Sequence, residues 1–479
     1  MKKKKYKLII VQRIRQQAAK KTKRRQKRKN NAKKQIEILL PPPRFPRKFS
    51  RSNNTNIKQK KITKSDLIQL FLPEDLLFMI SQECILNLES IKKEKYHSKG
   101  TILLPENFTI NNNHSESYET LRKLISALLI ERTKKVTLDY SECINIGLNT
   151  QVILDIILRS YVKFTNISQV KRHFPIFIGG VNVNHEKVQK LTFSVGSAAN
   201  FGSELDFPDI TKYKLKKHDN RKETDQIKRI ERKELDITDM IIYIESSLEK
   251  MNKKLTPAKR DDLCTIIGEI LINAEEHSTT KYFYSIGYFI EDIRSDNHSG
   301  LFRLVIMNFG KTIYQKFKSE DCQNTSIVNR MIELSEKYTM KRLFFPGEFE
   351  EECLWSLYAL QEGVTSVSKE QYEKRGNGSI RFIDSFFNIK GSVDADDISR
   401  LSILSGSTRI VFDGKYRIAE KINSTGETFK VMTFNESGNI EEKPDSKYVF
   451  FCKNHFFPGT MINAKILLND NDVQQISNT

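Results

Sequence analysis

Cysteine is scarce in this sequence and poorly spaced for joint work. Cys84, Cys143, Cys264, Cys322, Cys353 and Cys452 are the only six in 479 residues, and no two form a Cys-x-x-Cys pair. That spacing excludes a zinc ribbon and argues against a disulfide framework in so long a chain. The thiols are expected to be reduced, mostly buried, and in an intracellular compartment. Long apolar runs are also missing. None approaches the roughly 18 residues of a membrane span, and Leu8-Ile9-Ile10-Val11 is too short for the apolar core of a signal peptide. A soluble cytoplasmic protein without a membrane span is the expectation. The length of 479 residues is enough for two or three domains with cores of their own, though 38% hydrophobic is on the low side and 29% charged somewhat high.

Acidic residues are nearly absent from one segment alone. Residues 1–64 hold 25 Lys or Arg against Glu37. Of the net charge of +21, this arm therefore carries +24, and the other 415 residues carry the difference, −3. Like charge at that density cannot bury a core, so the arm is read as mostly disordered. It is a candidate for counterion-releasing attraction to nucleic acid or anionic lipid, and equally for a solubilising or partner-docking tail. Its few aromatics (Tyr6, Phe45, Phe49) give no sign of sequence-specific recognition.

From 65 to 222 the pattern turns globular. Helical stretches begin at Asp66, at Leu121, at Asn149 and at His185. Between them, Lys135 to Tyr140 and Pro175 to Gly180 read as strands. This alternation predicts an α/β domain on a parallel or mixed sheet. Val136-Thr137-Leu138-Asp139-Tyr140-Ser141 running into a helix, with a later glycine turn and a helix ending near Gly196, resembles a STAS domain, the fold of anti-sigma-factor antagonists. Where phosphorylated members of that family carry an Asp-Ser pair, this chain has Ile146-Gly147. The resemblance therefore implies a binding or scaffolding module lacking the regulatory phosphoserine.

The chemistry concentrates after residue 223. A long charged helix over Thr224 to Lys253 is broken at Pro257, and a second helix runs to His277. On that second helix, Leu263, Ile267, Ile270, Leu271 and Ala274 share one face. Glu269 and Asn273 stand one turn apart at the edge of this stripe, within about 40° of each other. A carboxylate and a carboxamide so placed can share one cavity; a solvated helix edge would look the same. Three more segments follow in order. Leu304 to Phe309 is an apolar strand entering Gly310-Lys311-Thr312. Gly376-Asn377-Gly378 is a turn opening a helix over Phe382 to Phe387, where backbone amides can bind phosphate. Pro458-Gly459-Thr460 enters the last strand.

Four boxes in this order resemble the Bergerat-type, histidine-kinase-like ATPases of histidine kinases, gyrases and anti-sigma-factor kinases. The resemblance covers about 250 residues. It implies an α+β (α/β sandwich) domain with helices on one face of a mixed sheet, ATP as ligand and Mg2+ as its ion. Carried over position by position, Asn273 would hold magnesium and Glu269 would act as base. Asn308 would meet the adenine amino group, and Thr460 would add a hydrogen bond nearby. Gly310, Thr312, Gly376 and Gly378 would line the nucleotide and its lid. Asn308 departs from the family's Asp, which removes a charge but keeps an acceptor oxygen. Thr312 replaces the second glycine of its box. The lid, 311–375, is long enough to be an inserted subdomain, with helices over Thr325 to Lys337 and Glu350 to Leu360. Trp355 within it reads as packing.

The function expected is a magnesium-dependent ATPase serving as a nucleotide-driven regulatory switch, with a protein partner and possible self-association. One alternative is a serine or histidine kinase of the anti-sigma-factor type. It is opposed by the absence of a phosphoacceptor-histidine dimerisation helix before Glu269. The other is a non-enzymatic nucleic-acid-associated protein, bound through residues 1–64, with a degenerate ATPase fold.

Overall fold

The first helix, α1 (Lys64–Phe71), begins at a reciprocal cap. The Asp66 amide donates to Thr63 Oγ1 and the Thr63 amide donates to the Asp66 carboxylate, satisfying two amides that a helix start leaves without partners. The computed structural model describes residues 63–82, 84–175, 177–219, 226–280, 282–291, 298–339, 348–366, 378–390, 398–422, 426–469 and 473–476. The arm expected over 1–64 lies outside them, its last two residues excepted. After α1 come α2 (Glu74–Ser81), α3 (Leu88–Glu94), β1 (Thr101–Leu103), β2 (Asn107–Phe108), α4 (His114–Leu129), β3 (Lys135–Asp139) and β4 (Asn145–Ile146). Then follow α5 (Leu148–Thr165), β5 (Phe177–Val181), α6 (Glu186–Ser194), α7 (Ser197–Asn200) and β6 (Ile210–Asp219).

The C-terminal half continues with α8 (Gln226–Glu249), β7 (Lys253–Leu255), α9 (Pro257–His277), β8 (Tyr282–Glu291) and β9 (His298–Phe309). The expected lid supplies α10 (Ile313–Lys318), α11 (Thr325–Thr339) and α12 (Glu351–Tyr358). Then come α13 (Gly378–Lys390), β10 (Arg400–Gly406), β11 (Thr408–Phe412), β12 (Ala419–Ile422) and β13 (Thr428–Val431). The last strands are β14 (Val449–Phe451), β15 (Phe457–Asn469) and β16 (Val473–Gln475). No helix among the described residues is long and apolar enough to cross a membrane.

Two sheets organise this α+β fold. The smaller is parallel, in the order β1-β3-β5. Its inner face, with Ile102, Val136 and Leu138, is buried in one core with the apolar sides of α4 and α5. The larger has seven strands in the order β14-β11-β10-β15-β9-β8-β6. Every one of its pairings is antiparallel, so the mixed sheet implied by the resemblance is corrected. The reason is topological: β9 and β10 run in the same direction, joined through the helices between them, and β15 enters between the two and opposes both.

Helices also cover both faces of the large sheet rather than one. Alternation along each strand sends one set of side chains forward and the other to the rear. Phe302, Leu304, Ile306, Ile403 and Ile462 face forward into a core with α8, α9 and α13. Tyr284, Ile286, Val305, Met307, Phe309 and Met461 face rearward into the core that also holds α2 and α5. The helix α5 is buried on nearly every side: Val152, Ile153, Leu154, Ile156, Ile157 and Leu158 put apolar side chains all round it, and the polar Thr150, Gln151 and Asp155 are buried with them. The expected boundary at 222 falls after β6, which pairs with β8 at the edge of the large sheet. Residues 62–479 form one compact unit.

Candidate functional site

The forward end of the large sheet carries a transverse row of residues. Ser405 on β10 pairs with Thr460 on β15, Thr460 with Asn308 on β9, Asn308 with Phe283 on β8, and Phe283 with His218 on β6. Directly paired residues point to the same face, so all five belong to the forward face, the one packed on α8, α9 and α13. Apolar residues dominate this face elsewhere, whereas in this row Ser, Thr and Asn stand side by side. The hydroxyls of Ser405 and Thr460 are 2.9 Å apart, and Ser405 Oγ also accepts the Ile313 amide at 2.9 Å. Asn308 is 1% exposed, and its amide nitrogen Nδ2 is buried without a hydrogen-bond partner. Most buried polar atoms find a partner; Asn308 Nδ2 is one of thirteen among the described residues that have none, and it lies in the middle of this row.

Glycine has a defined reason here. Gly459 lies at φ +151°, and a Cβ added to it would meet the Asn308 carbonyl oxygen at 2.1 Å. Only a residue without a side chain lets β15 approach β9 this closely where the row begins. Gly310 follows β9 and donates its amide to the Pro458 carbonyl at 3.2 Å. The two glycine-bearing turns at this end thus hold each other.

Above the row, α9 starts at Thr256, whose hydroxyl accepts the Lys259 amide, with Pro257 at the first helical position. The helix packs its apolar stripe onto the forward face through Ile267, Ile270, Leu271 and Ala274. Glu269 and Asn273 are both half-buried at the edge of that stripe. The Glu269 carboxylate is 3.3 Å from the Arg381 guanidinium of α13. A Cβ at Gly378 would meet Glu269 Oε2 at 2.6 Å, so the glycine that opens α13 leaves room for this carboxylate. Two boxes more than 100 residues apart in sequence therefore meet. Gly376 lies outside the described residues, as does the side chain of His277.

Thr312 caps α10: its hydroxyl accepts the Gln315 amide at 3.1 Å, and its own amide donates to Gln315 Oε1 at 3.0 Å. That hydroxyl is fully buried and engaged in structure. The lid expected over 311–375 includes a packed body. Glu352 accepts the Ser407 amide at 2.7 Å, and burial raises its carboxyl above the usual range. Trp355 is buried and donates to Ser335 Oγ at 3.1 Å, the packing role expected of it.

Sequence reasoning missed Ser405, Arg381 and His218. The first two lie in no recognisable motif. His218 stacks on Phe283, with ring centroids 4.4 Å apart. Its Nδ1 is 3.0 Å from Asp236 Oδ2 on α8, and its Nε2 is 2.7 Å from Ser285 Oγ. Ser285 is fully buried in mid-strand, so this Asp-His-Ser chain ties α8 to the sheet and offers no hydroxyl to a substrate. Among the described residues, no group of three or more His, Cys, Asp or Glu side chains could hold a metal ion. Comparison with known protein families, with curated proteins and with solved structures returns no match.

Proposed function

We propose that residues from about 225 to the C-terminus are a Bergerat-type nucleotide-binding domain that binds ATP with magnesium, hydrolyses it, and serves as a nucleotide-driven regulatory switch. The buried Asn308 amide carries the reading. A sealed donor without an acceptor costs on the order of 1–3 kcal/mol, a cost that a bound base edge would offset. A carboxamide can accept from the adenine amino group and donate to a neighbouring ring nitrogen at once. Asn in place of the family's Asp therefore keeps a means of reading adenine, though without the charge. Thr460 and Ser405 place two hydroxyls beside it in the same row.

The residues over the row suit the phosphate end. Asn273 offers a neutral oxygen of the kind magnesium accepts alongside phosphate and water. When bound, the ion would neutralise phosphate charge. Glu269 is the residue to accept a proton from the attacking water, and the Arg381 guanidinium at 3.3 Å orients it. The helix head at Gly378 lies against the same carboxylate, which supports a single site assembled from both boxes.

Two substitutions test this. Asn273→Ala removes the magnesium donor and is expected to weaken Mg-ATP binding in calorimetry. Glu269→Gln keeps size and polarity and is expected to bind ATP like the parent, while phosphate release falls roughly 100-fold. Parent-like turnover in Glu269→Gln would remove Glu269 as the base. Absence of ATP binding in the parent would overturn the whole reading.

A further inference from the structure

A parallel sheet normally has both faces covered, and among the described residues nothing covers one face of the three-stranded sheet. Rearward of Ile102, Val136 and Leu138, the strands turn Leu103, Lys135, Thr137, Phe177 and Val181 outward. Phe177 is 68% exposed, and a Cβ built on Gly179 would meet nothing within 4 Å. Lys135 is the direct cross-strand partner of Phe177, so a cation and an aromatic ring stand side by side on the bare face.

Charge is distributed unevenly between the two ends of this sheet. At the end where the strands begin, Lys99, Arg132, Lys134, Lys135, Lys171 and Arg172 are exposed. The nearby Glu131 carboxylate accepts the Ser98 hydroxyl at 3.0 Å. At the opposite end Asp139 pairs with Val181, accepts from Asn182 Nδ2 at 2.9 Å, and is held below the usual carboxylate range by that bond. An anionic chain would be drawn to the first end and repelled from the second.

We propose that this face binds single-stranded nucleic acid, with a base stacked on Phe177 over the bare Gly179 and the flanking phosphates drawn to Lys135, Lys134 and Arg172. A flat exposed ring beside cations suits an unstacked base, because every base has a π-face and sequence need not be read. A duplex keeps its bases stacked inside and offers the ring nothing. A bilayer is a poorer fit, since Asp139 lies between Leu103 and Val181 and Lys135 lies beside Phe177, so the three exposed apolar side chains form no continuous area to insert. The site is built from residues of the folded body; the +24 of residues 1–64 would attract the phosphates of single and double strands alike.

The test uses the full chain. Fluorescence anisotropy with a 20-nucleotide oligothymidine and with a duplex of equal length is measured for the parent, Phe177→Ala and Phe177→Trp. Phe177→Ala is expected to weaken single-strand binding about 5-fold or more, the effect of losing one stacked base, and to leave duplex binding within about 2-fold. Phe177→Trp is expected to retain single-strand binding, which a merely structural role would not predict. Lys135→Gln with Arg172→Gln is expected to lower the slope of log affinity against log salt by about 1.4, for two lost phosphate contacts. Single-strand affinity unchanged in Phe177→Ala would overturn the proposal. So would an equal loss on both nucleic acids.

Discussion

Asp155 gives the chain a measurable dependence on pH. It is fully buried on α5 and accepts from Gln151 Nε2 at 2.8 Å, Ser197 Oγ at 2.6 Å and Asn200 Nδ2 at 2.9 Å. Burial outweighs these bonds and pushes its carboxyl from the ordinary 3.8 up to about 7. The folded state thus holds a proton through a range in which the unfolded chain has released it. An acid whose folded pKa is raised contributes stability that is complete below about pH 4 and is lost as pH rises towards 7. At about 1.4 kcal/mol per pH unit, the loss across that window is on the order of 4 kcal/mol. Asp155→Asn keeps the shape and cannot titrate. Urea denaturation of the full chain at pH 5, 6, 7 and 8 should show the parent losing stability relative to Asp155→Asn, with the gap levelling above pH 7. Other titrating groups cancel in this difference. A gap that stays constant from pH 5 to 8 would refute the reasoning.

Two further outcomes follow from the site and its neighbourhood. Gly459→Ala places a methyl group 2.1 Å from the Asn308 carbonyl, so β15 must move away from β9; a drop in melting temperature with loss of ATP retention is expected, and parent-like behaviour in both would show that the close approach is dispensable. Incubation with Mg-ATP should leave residues 65–222 unphosphorylated by mass spectrometry. Thr150 is fully buried, with its hydroxyl accepting the Ile110 amide at 2.8 Å. A stoichiometric phosphate on the exposed Ser141 would instead favour the kinase alternative.

Local signals were legible where the chain decides its own conformation. Thr256-Pro257 started α9 as a cap followed by a first-turn proline should, and the apolar run ending at Phe309 became the end of β9. The pairing of Glu269 with the head of α13 was legible only as two separate boxes, since the Arg381 contact depends on how the helices cross. β6 was the least readable strand. Its lysines Lys212, Lys214, Lys216 and Lys217 look like a solvated linker, yet Tyr213 and Leu215 between them are buried on opposite faces, and a register shift after Tyr213 lies between those two directions. Likewise, nothing local to Ser405 announces that Thr460 will lie opposite it; that depends on β15 returning from the far end of the chain.

The alternation of β9 has a mechanical consequence. Asn308 faces forward, while its neighbours Met307 and Phe309 face rearward, where the Phe309 ring lies 6.4 Å from Phe78 of α2 and 6.3 Å from Tyr284. Asp75, also on α2, accepts the Tyr284 hydroxyl and the Lys217 ammonium. The front of the strand and the N-terminal layer behind it are therefore separated by the thickness of one polypeptide backbone. A load applied to Asn308 from the front has no hinge or tether to cross before it reaches α2, because one rigid rod serves as the floor of one compartment and the ceiling of the next.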